Sequence, residues 1–222
     1  MNCTRVILVR HGQTEWNDGA RFQGHLDSPL TKAGILQAES IGKRIAKEPI
    51  AAIYSSDLGR ACQTAELIAT PCKLPIVTDD RLRERGLGVF QGLNRDEVAT
   101  RFPDAAKQYY SRDPHYVVPE GESAMGRFLL ALSFLDEITP RYRGQNIVAV
   151  THGGVVQGMF RHVTGVGFEA PRRFAIRNAA YNAFLADEAG WSLETWGDIS
   201  HYPPELARSA GFHVENYTPE VQ

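Results

Sequence analysis

Along the chain, short runs of consecutive apolar residues alternate with longer stretches whose apolar positions recur every three to four residues. The first pattern suits strands buried on both faces and the second suits helices with one buried stripe. The alternation therefore predicts helices packed on a mostly parallel sheet. Residues 4–9 read as the first strand. Thr31 can cap a helix reaching about residue 47, with Ala38, Ile41 and Ile45 at helical spacing and Pro49 closing its exit. Residues 51–55 read as a second strand. Ser56 and Asp57 are cap residues for a helix to about residue 69, whose Ala61, Ala65 and Ile68 share a face, and Pro71 and Pro75 bound the next turn.

Beyond a weaker strand at 74–78, residues 80–92 are rich in charge and glycine and read as a loop. A short helix is predicted at 95–102, and residues 103–121, with three prolines and three tyrosines, show no period and read as an irregular excursion over the sheet. Ser123 can cap a long helix to about residue 141, with Phe128, Leu132, Leu135 and Ile138 as its buried stripe. A strand at 146–150 leads into a helix-compatible stretch at 155–163. Residues 174–186 and 191–196 flank Asp187-Glu188-Ala189-Gly190, a β-hairpin at the sheet's edge, and a polar tail follows from Gly197. The expected architecture is a single-domain α/β three-layer sandwich over residues 1–197, its mostly parallel central sheet flanked by helices. The tail at 198–222 could cover the site.

Two of the apolar runs end on histidine. Val6 to Val9 leads into Arg10-His11-Gly12, and Val148 to Val150 leads into Thr151-His152-Gly153-Gly154. In an open α/β sheet the carboxyl ends of the strands form the ligand crevice, so His11 and His152 are expected on one edge. Arg60, in the first turn after the second strand, is expected there too. Guanidinium forks match phosphate oxygens, and helix N-termini with exposed amides, such as those of Gly153 and Gly154, favour anions. Arg10, Arg60 and two imidazoles around one point make a pocket for a dianion. Alone, each would more readily be a strand end, a surface arginine or a buried histidine; the shared location is what points to chemistry. Paired histidines also suit metals, but Arg10 would repel a dication and no carboxylate cluster supplies further ligands, so no metal is expected. Phosphoryl transfer from an alcohol needs a proton for the leaving oxygen. Glu84 offers one; Asp80, which suits a turn, and Glu122, which suits a helix start, are its rivals.

At 222 residues the chain needs no second domain, and 43% hydrophobic with 23% charged residues is a globular composition. A net charge of -2 gives no electrostatic reason to expect nucleic acid or a membrane as partner, although local basic clusters could still matter. Cys3, Cys62 and Cys72 cannot all pair within one chain and lack metal-ligand spacing. With no signal peptide at the start, the cytoplasm is the expected compartment.

The motifs together resemble the histidine phosphatase superfamily, in its branch related to cofactor-dependent phosphoglycerate mutase. The resemblance covers most of the chain. It is carried by Leu8-Val9-Arg10-His11-Gly12-Gln13-Thr14-Glu15-Trp16-Asn17, Arg21-Phe22-Gln23-Gly24, Tyr54-Ser55-Ser56-Asp57-Leu58-Gly59-Arg60-Ala61, Leu82-Arg83-Glu84 and Thr151-His152-Gly153-Gly154. It implies that His11 is phosphorylated on a ring nitrogen, while Glu84 first protonates the departing oxygen and then activates water. It further implies that Arg10, Arg60 and His152 hold the phosphoryl oxygens, that Asn17, Gln23 and the amides near Gly12 and Gly24 line the phosphate pocket, and that no cofactor is required. The sequence departs from the mutases in having Arg85-Gly86-Leu87-Gly88 after the glutamate, Arg95 near the position of a lysine, Gly154 after His-Gly, and a shorter stretch between Glu84 and His152. These departures imply a phosphomonoesterase acting on a small phosphorylated metabolite. Mutase activity and a phospholigand-binding regulatory role are the alternatives. Phe90, Arg95, Tyr109, Tyr110, Arg112, His115 and Tyr116, with Arg21 and His25, are candidate specificity contacts, although most of the tyrosines are expected to pack the excursion against the sheet. A homodimer through the hairpin containing Trp191 and Trp196 is a further expectation.

Overall fold

The computed structural model describes residues 2–209. Six strands form one sheet in the order β3-β2-β4-β1-β5-β6: β1 (Thr4–Arg10), β2 (Ile50–Ser55), β3 (Ile76–Thr78), β4 (Asn146–Thr151), β5 (Tyr181–Asp187) and β6 (Gly190–Asp198). The strands β3, β2, β4 and β1 are parallel, and β5 runs antiparallel to both β1 and β6. The eight α-helices among the described residues are α1 (Glu15–Asp18), α2 (Lys32–Ile45), α3 (Gly59–Cys72), α4 (Arg95–Arg101), α5 (Pro103–Tyr110), α6 (Ala124–Ile138), α7 (Gly153–Thr164) and α8 (Pro204–Ser209).

Alternation along β1 divides the core in two. Ile7 and Val9 pack with Ile41 and Ile45 of α2 and Ala61, Ala65 and Ile68 of α3. Val6 and Leu8 face the other way, onto Phe128, Phe134 and Leu135 of α6 and Val156 and Met159 of α7. This is the three-layer sandwich the pattern implied. A third, smaller cluster of Leu87, Phe90, Val98, Ala106 and Val118 holds the 87–118 excursion together, with Phe22, Tyr109 and Tyr116 against it.

Several elements differ from the sequence expectation. The α3 N-cap is Leu58, which offers no side-chain acceptor. Ser56 and Asp57 are occupied elsewhere: the Asp57 carboxylate accepts from Arg83 Nε at 2.6 Å. Asp27, distant in sequence, caps instead, accepting from the Gly59 amide at 2.7 Å and the Arg60 amide at 3.3 Å. Pro71 lies inside the last turn of α3 instead of bounding it. The Leu67 carbonyl, left without its i+4 donor, faces Gly42 of α2, where a Cβ would stand 2.7 Å away. The aperiodic 103–121 segment contains α5, started by a proline at its first position. Residues 174–180 are not strand; β5 begins at Tyr181. In the edge hairpin, Trp191 Nε1 donates to Asp136 at 2.7 Å and the Trp196 ring centroid lies 4.4 Å from that of Phe160. Residues 210–222 of the expected tail lie outside the described residues. Among those described, no helix is long and apolar enough to cross a membrane.

Candidate active site

Backbone hydrogen bonds lace the strand ends together. The His11 amide donates to Thr151 O and the Ser56 amide to Val150 O, each at 2.9 Å. Residues following β1, β2 and β4 are thereby fixed at one edge of the sheet, the crevice side of an open α/β fold. The His11 and His152 ring centroids are 5.2 Å apart, and both rings are buried.

His11 Nδ1 lies 2.8 Å from Gly12 O. A carbonyl only accepts, so Nδ1 carries the proton and the lone pair of the neutral ring is on Nε2. Burial first, and then the Arg10 and Arg60 guanidiniums, hold the His11 pKa well below the ordinary imidazole value. His152 is held low in the same way by burial, followed by Arg60 and His11. Its Nε2 lies 2.8 Å from Ser56 Oγ. Both imidazoles are neutral.

The cations are anchored at their tips. Arg10 Nη1 donates to Ile176 O at 2.7 Å. Arg60 donates to Leu26 O, Asp27 and Gly24 O at 2.9, 2.8 and 2.7 Å, a grip made possible by the turn at Gly24, whose φ is 56°. Burial pulls the Arg10 pKa down to about 10 and lowers Arg60, yet both stay charged at neutral pH. Arg10 Nε, Arg60 Nε, His152 Nδ1 and Gln23 Oε1 are buried without a protein partner. Buried polar groups are ordinarily satisfied, so orphans gathered around one point mark a place completed by a polar ligand.

A cavity of about 320 Å³ opens there. Arg10, His11, Asn17, Gln23, Gly24, Arg60, Glu84 and Gly153 are all on its wall. Two expected site residues are not. His152 is fully buried, with its Nδ1 left without a protein partner. The Gly12 amide, expected to face phosphate, donates to Thr64 Oγ1 at 3.0 Å, and a Cβ there would stand 2.5 Å from Gly34 O; this glycine is needed for the packing of β1 on α2. Of the three carboxylates weighed for proton transfer, Glu84 alone faces the cavity. Its Oε2 accepts from the Gly154 amide at 3.0 Å and its Oε1 from the Arg85 amide at 2.9 Å. A Cβ at position 154 would collide with Glu84 Oε1, so the glycine there admits the carboxylate to the N-terminus of α7. Asp80 sits in a 3-10 turn, and Glu122 accepts from the Gly86 amide at 2.7 Å.

Four residues at the site were not read from the sequence as site residues. Ser56, taken for a cap, faces His152. Asn178 Nδ2 donates to His11 O at 2.8 Å and lies 3.4 Å from Asn17 Oδ1. Arg127, buried on α6, donates to Arg83 O at 3.0 Å and to Asp80 O, fixing the loop that carries Glu84 while facing the cavity. Arg172 also lines it. An arginine beside Phe128 on an otherwise apolar helix stripe was a readable signal for Arg127. Asn178 carried none, lying in a stretch read as the first strand of the edge hairpin.

The sequence model of the histidine phosphatase superfamily (branch 1) matches residues 6–199. The chain belongs to that superfamily. The chain is 37% identical over 211 residues to phosphoglycerate mutase-like protein 4 of Arabidopsis thaliana, covering 93% of this chain and 90% of the relative. It is 35% identical over 202 residues to the metal-independent phosphoserine phosphatase of the same plant, covering 89% and 83%. Among solved structures, Bacillus stearothermophilus YhfR superposes with a TM-score of 0.84 at 33% identity, over 89% of this chain and 98% of that one. The same superfamily thus contains relatives named for mutase-like and for phosphatase chemistry. The carboxyl edge of the sheet is where the two must be told apart.

Proposed function

We propose that the protein is a phosphomonoesterase working through a phosphohistidine on His11. One observation carries this reading: an unprotonated Nε2 in a neutral ring faces a cavity that also receives two guanidiniums with unpartnered Nε–H groups and the Glu84 carboxyl. The Nε2 lone pair attacks phosphorus and the ester P–O bond breaks, the leaving oxygen taking the proton of Glu84. Glu84, now a carboxylate, removes a proton from water as the oxygen attacks phosphorus. The P–N bond breaks, its electrons return to Nε2, phosphate departs and Glu84 is protonated again. Arg10 and Arg60 meet charge that spreads over the equatorial oxygens, and because their tips are already tethered they need little reorganisation. His152, oriented by Ser56, turns its free Nδ1 to the same purpose. Hydrolysis in preference to mutase exchange is supported by Leu87 and Gly154 at the cavity wall, where the mutase pattern differs, and by the phosphatase named among the relatives.

The test is phosphate release from a panel of phosphomonoesters with chelator present, beside a coupled assay of 2- and 3-phosphoglycerate exchange. Release is expected to survive chelation, to drop at least about a thousandfold in His11→Ala, and to drop by about 10²–10⁴ in Glu84→Gln. Bisphosphate-dependent exchange without release would replace the phosphatase reading by the mutase one. Ligand binding with neither activity would leave a phospholigand-binding protein.

A further inference from the structure

Against the inner cavity lies a second chamber of about 550 Å³, larger than the site itself. The two share Arg85, Tyr109, Gln157, Phe168 and Arg172 as common wall, so a molecule whose phosphate sits at His11 extends directly into the outer space. That space is strongly cationic. Arg85, Arg95, Arg112, Arg161 and Arg172 line it, and Asp113 is the one carboxylate on its described wall. Asp113 is already engaged, accepting from the His115 amide at 2.8 Å.

The arginines are held in place. Arg85 stacks over the Tyr109 ring at 5.0 Å and Arg95 over the Tyr110 ring at 4.9 Å. Those stacked guanidiniums cover tyrosine faces that would otherwise be open to a flat apolar group, and they present a charged edge instead. Arg112 lies in the left-handed region at φ 66°, a conformation glycine adopts more easily, yet this position carries a guanidinium that lines the chamber. Arg161 is the most telling. It is 2% exposed, donates to Gly167 O and Ala170 O, and has a buried Nε with no partner. Its hydrogen bonds go to neutral carbonyls, the nearby Glu169 carboxylate supplies charge without a hydrogen bond to it, and the orphaned Nε–H is a donor that an anion would satisfy.

We propose that the outer chamber binds a second anionic group on the substrate, so that preferred substrates carry a carboxylate or phosphate at the far end of a body at least as large as a sugar. The inference rests on the phosphatase reading and narrows its substrate class. Three-carbon phosphorylated acids leave most of the outer chamber empty.

The test compares kcat/KM within matched pairs: 6-phosphogluconate against glucose 6-phosphate for a distal carboxylate, and fructose 1,6-bisphosphate against fructose 6-phosphate for a distal phosphate. The anionic member of at least one pair is expected to be favoured about tenfold or more, and which pair shows it identifies the anion. In Arg95→Ala/Arg112→Ala that ratio is expected to fall toward one, whereas Arg95→Lys/Arg112→Lys should retain part of it. Equal rates within both pairs, or a ratio unmoved by the double alanine variant, would overturn the proposal. Hydrolysis of p-nitrophenyl phosphate by the same preparations reads the inner site alone, so a failure there is a failure of the phosphatase reading. Calorimetric binding of the pairs to His11→Ala tests the outer chamber without turnover: tighter binding of an anionic member supports it, and equal affinity throughout overturns it.

Discussion

A carbonyl one residue away decides where the proton of His11 sits, and with it which nitrogen serves as nucleophile in the proposed mechanism. The same neighbourhood decides when that nucleophile is lost. Protonating the ring would place a third positive charge beside Arg10 and Arg60 in a buried pocket, and the pKa is accordingly pushed far down. The acid limb of kcat/KM, corrected for the substrate's own second ionisation near pH 6, is therefore expected well below 6.5. A rate profile from pH 4 to 8 checks this; a residual limb between 6 and 7 would contradict it. At this scale the sequence was most readable for residues whose role is fixed by chemistry a few positions away. Arg10, His11, Arg60 and Glu84 announced themselves by type and setting. Gly12, expected beside the ligand, has a packing role that no local pattern announces: its amide is taken by Thr64 and its missing Cβ makes room for Gly34 O.

Elements show why some of the fold could not be read locally. Helix α2 begins as its Thr31 promised, with the side chain accepting from the Gly34 amide. Helix α3 obtains its cap from Asp27, across the chain, and no window around residues 56–59 contains that information. The arrangement couples stability to the site, because the Asp27 carboxylate also holds Arg60 at 2.8 Å. Asp27→Ala is expected to destabilise the protein by about 1–2 kcal/mol through the lost cap. It should also raise KM for phosphomonoesters, since Arg60 loses one tether while keeping its bonds to Leu26 O and Gly24 O. Chemical denaturation and steady-state kinetics on one preparation measure both effects; an unchanged KM would mean that the carbonyls suffice. Helix α5 stayed hidden for a different reason. It is only eight residues long and packs on the small third cluster away from the main sheet, so its apolar face spans too few turns to read as a period.

Over the whole molecule, a net charge of -2 conceals a steep division. Arginines crowd the two chambers at one end of the sheet, whereas carboxylates such as Glu48, Glu137 and Glu194 sit in ion pairs elsewhere. Composition could not reveal this, because it averages what the fold separates. Acid sensitivity is likewise a property of the assembled fold. His11, His152 and His201 are all held low, His201 at about 4 with burial as the largest cause. The unfolded chain takes up protons at these residues near pH 6.5 and the native one does not, so stability falls as pH drops below that value. The melting temperature is expected to decrease from pH 7 to pH 5. A flat or rising curve over that window would show that other groups dominate.

The two histidines belong to the two innermost strands, β1 and β4, paired in register from Arg5 with Asn146 to Arg10 with Thr151. One strand opens the chain and the other comes after most of it has been made. No amino-terminal stretch that stops short of β4 brings the pair together, so on the proposed mechanism a chain ending before β4 is expected to be inert however well its early helices form. Turnover would then report that the beginning and the late middle of the polypeptide have met, and it can serve as a gauge of completed folding.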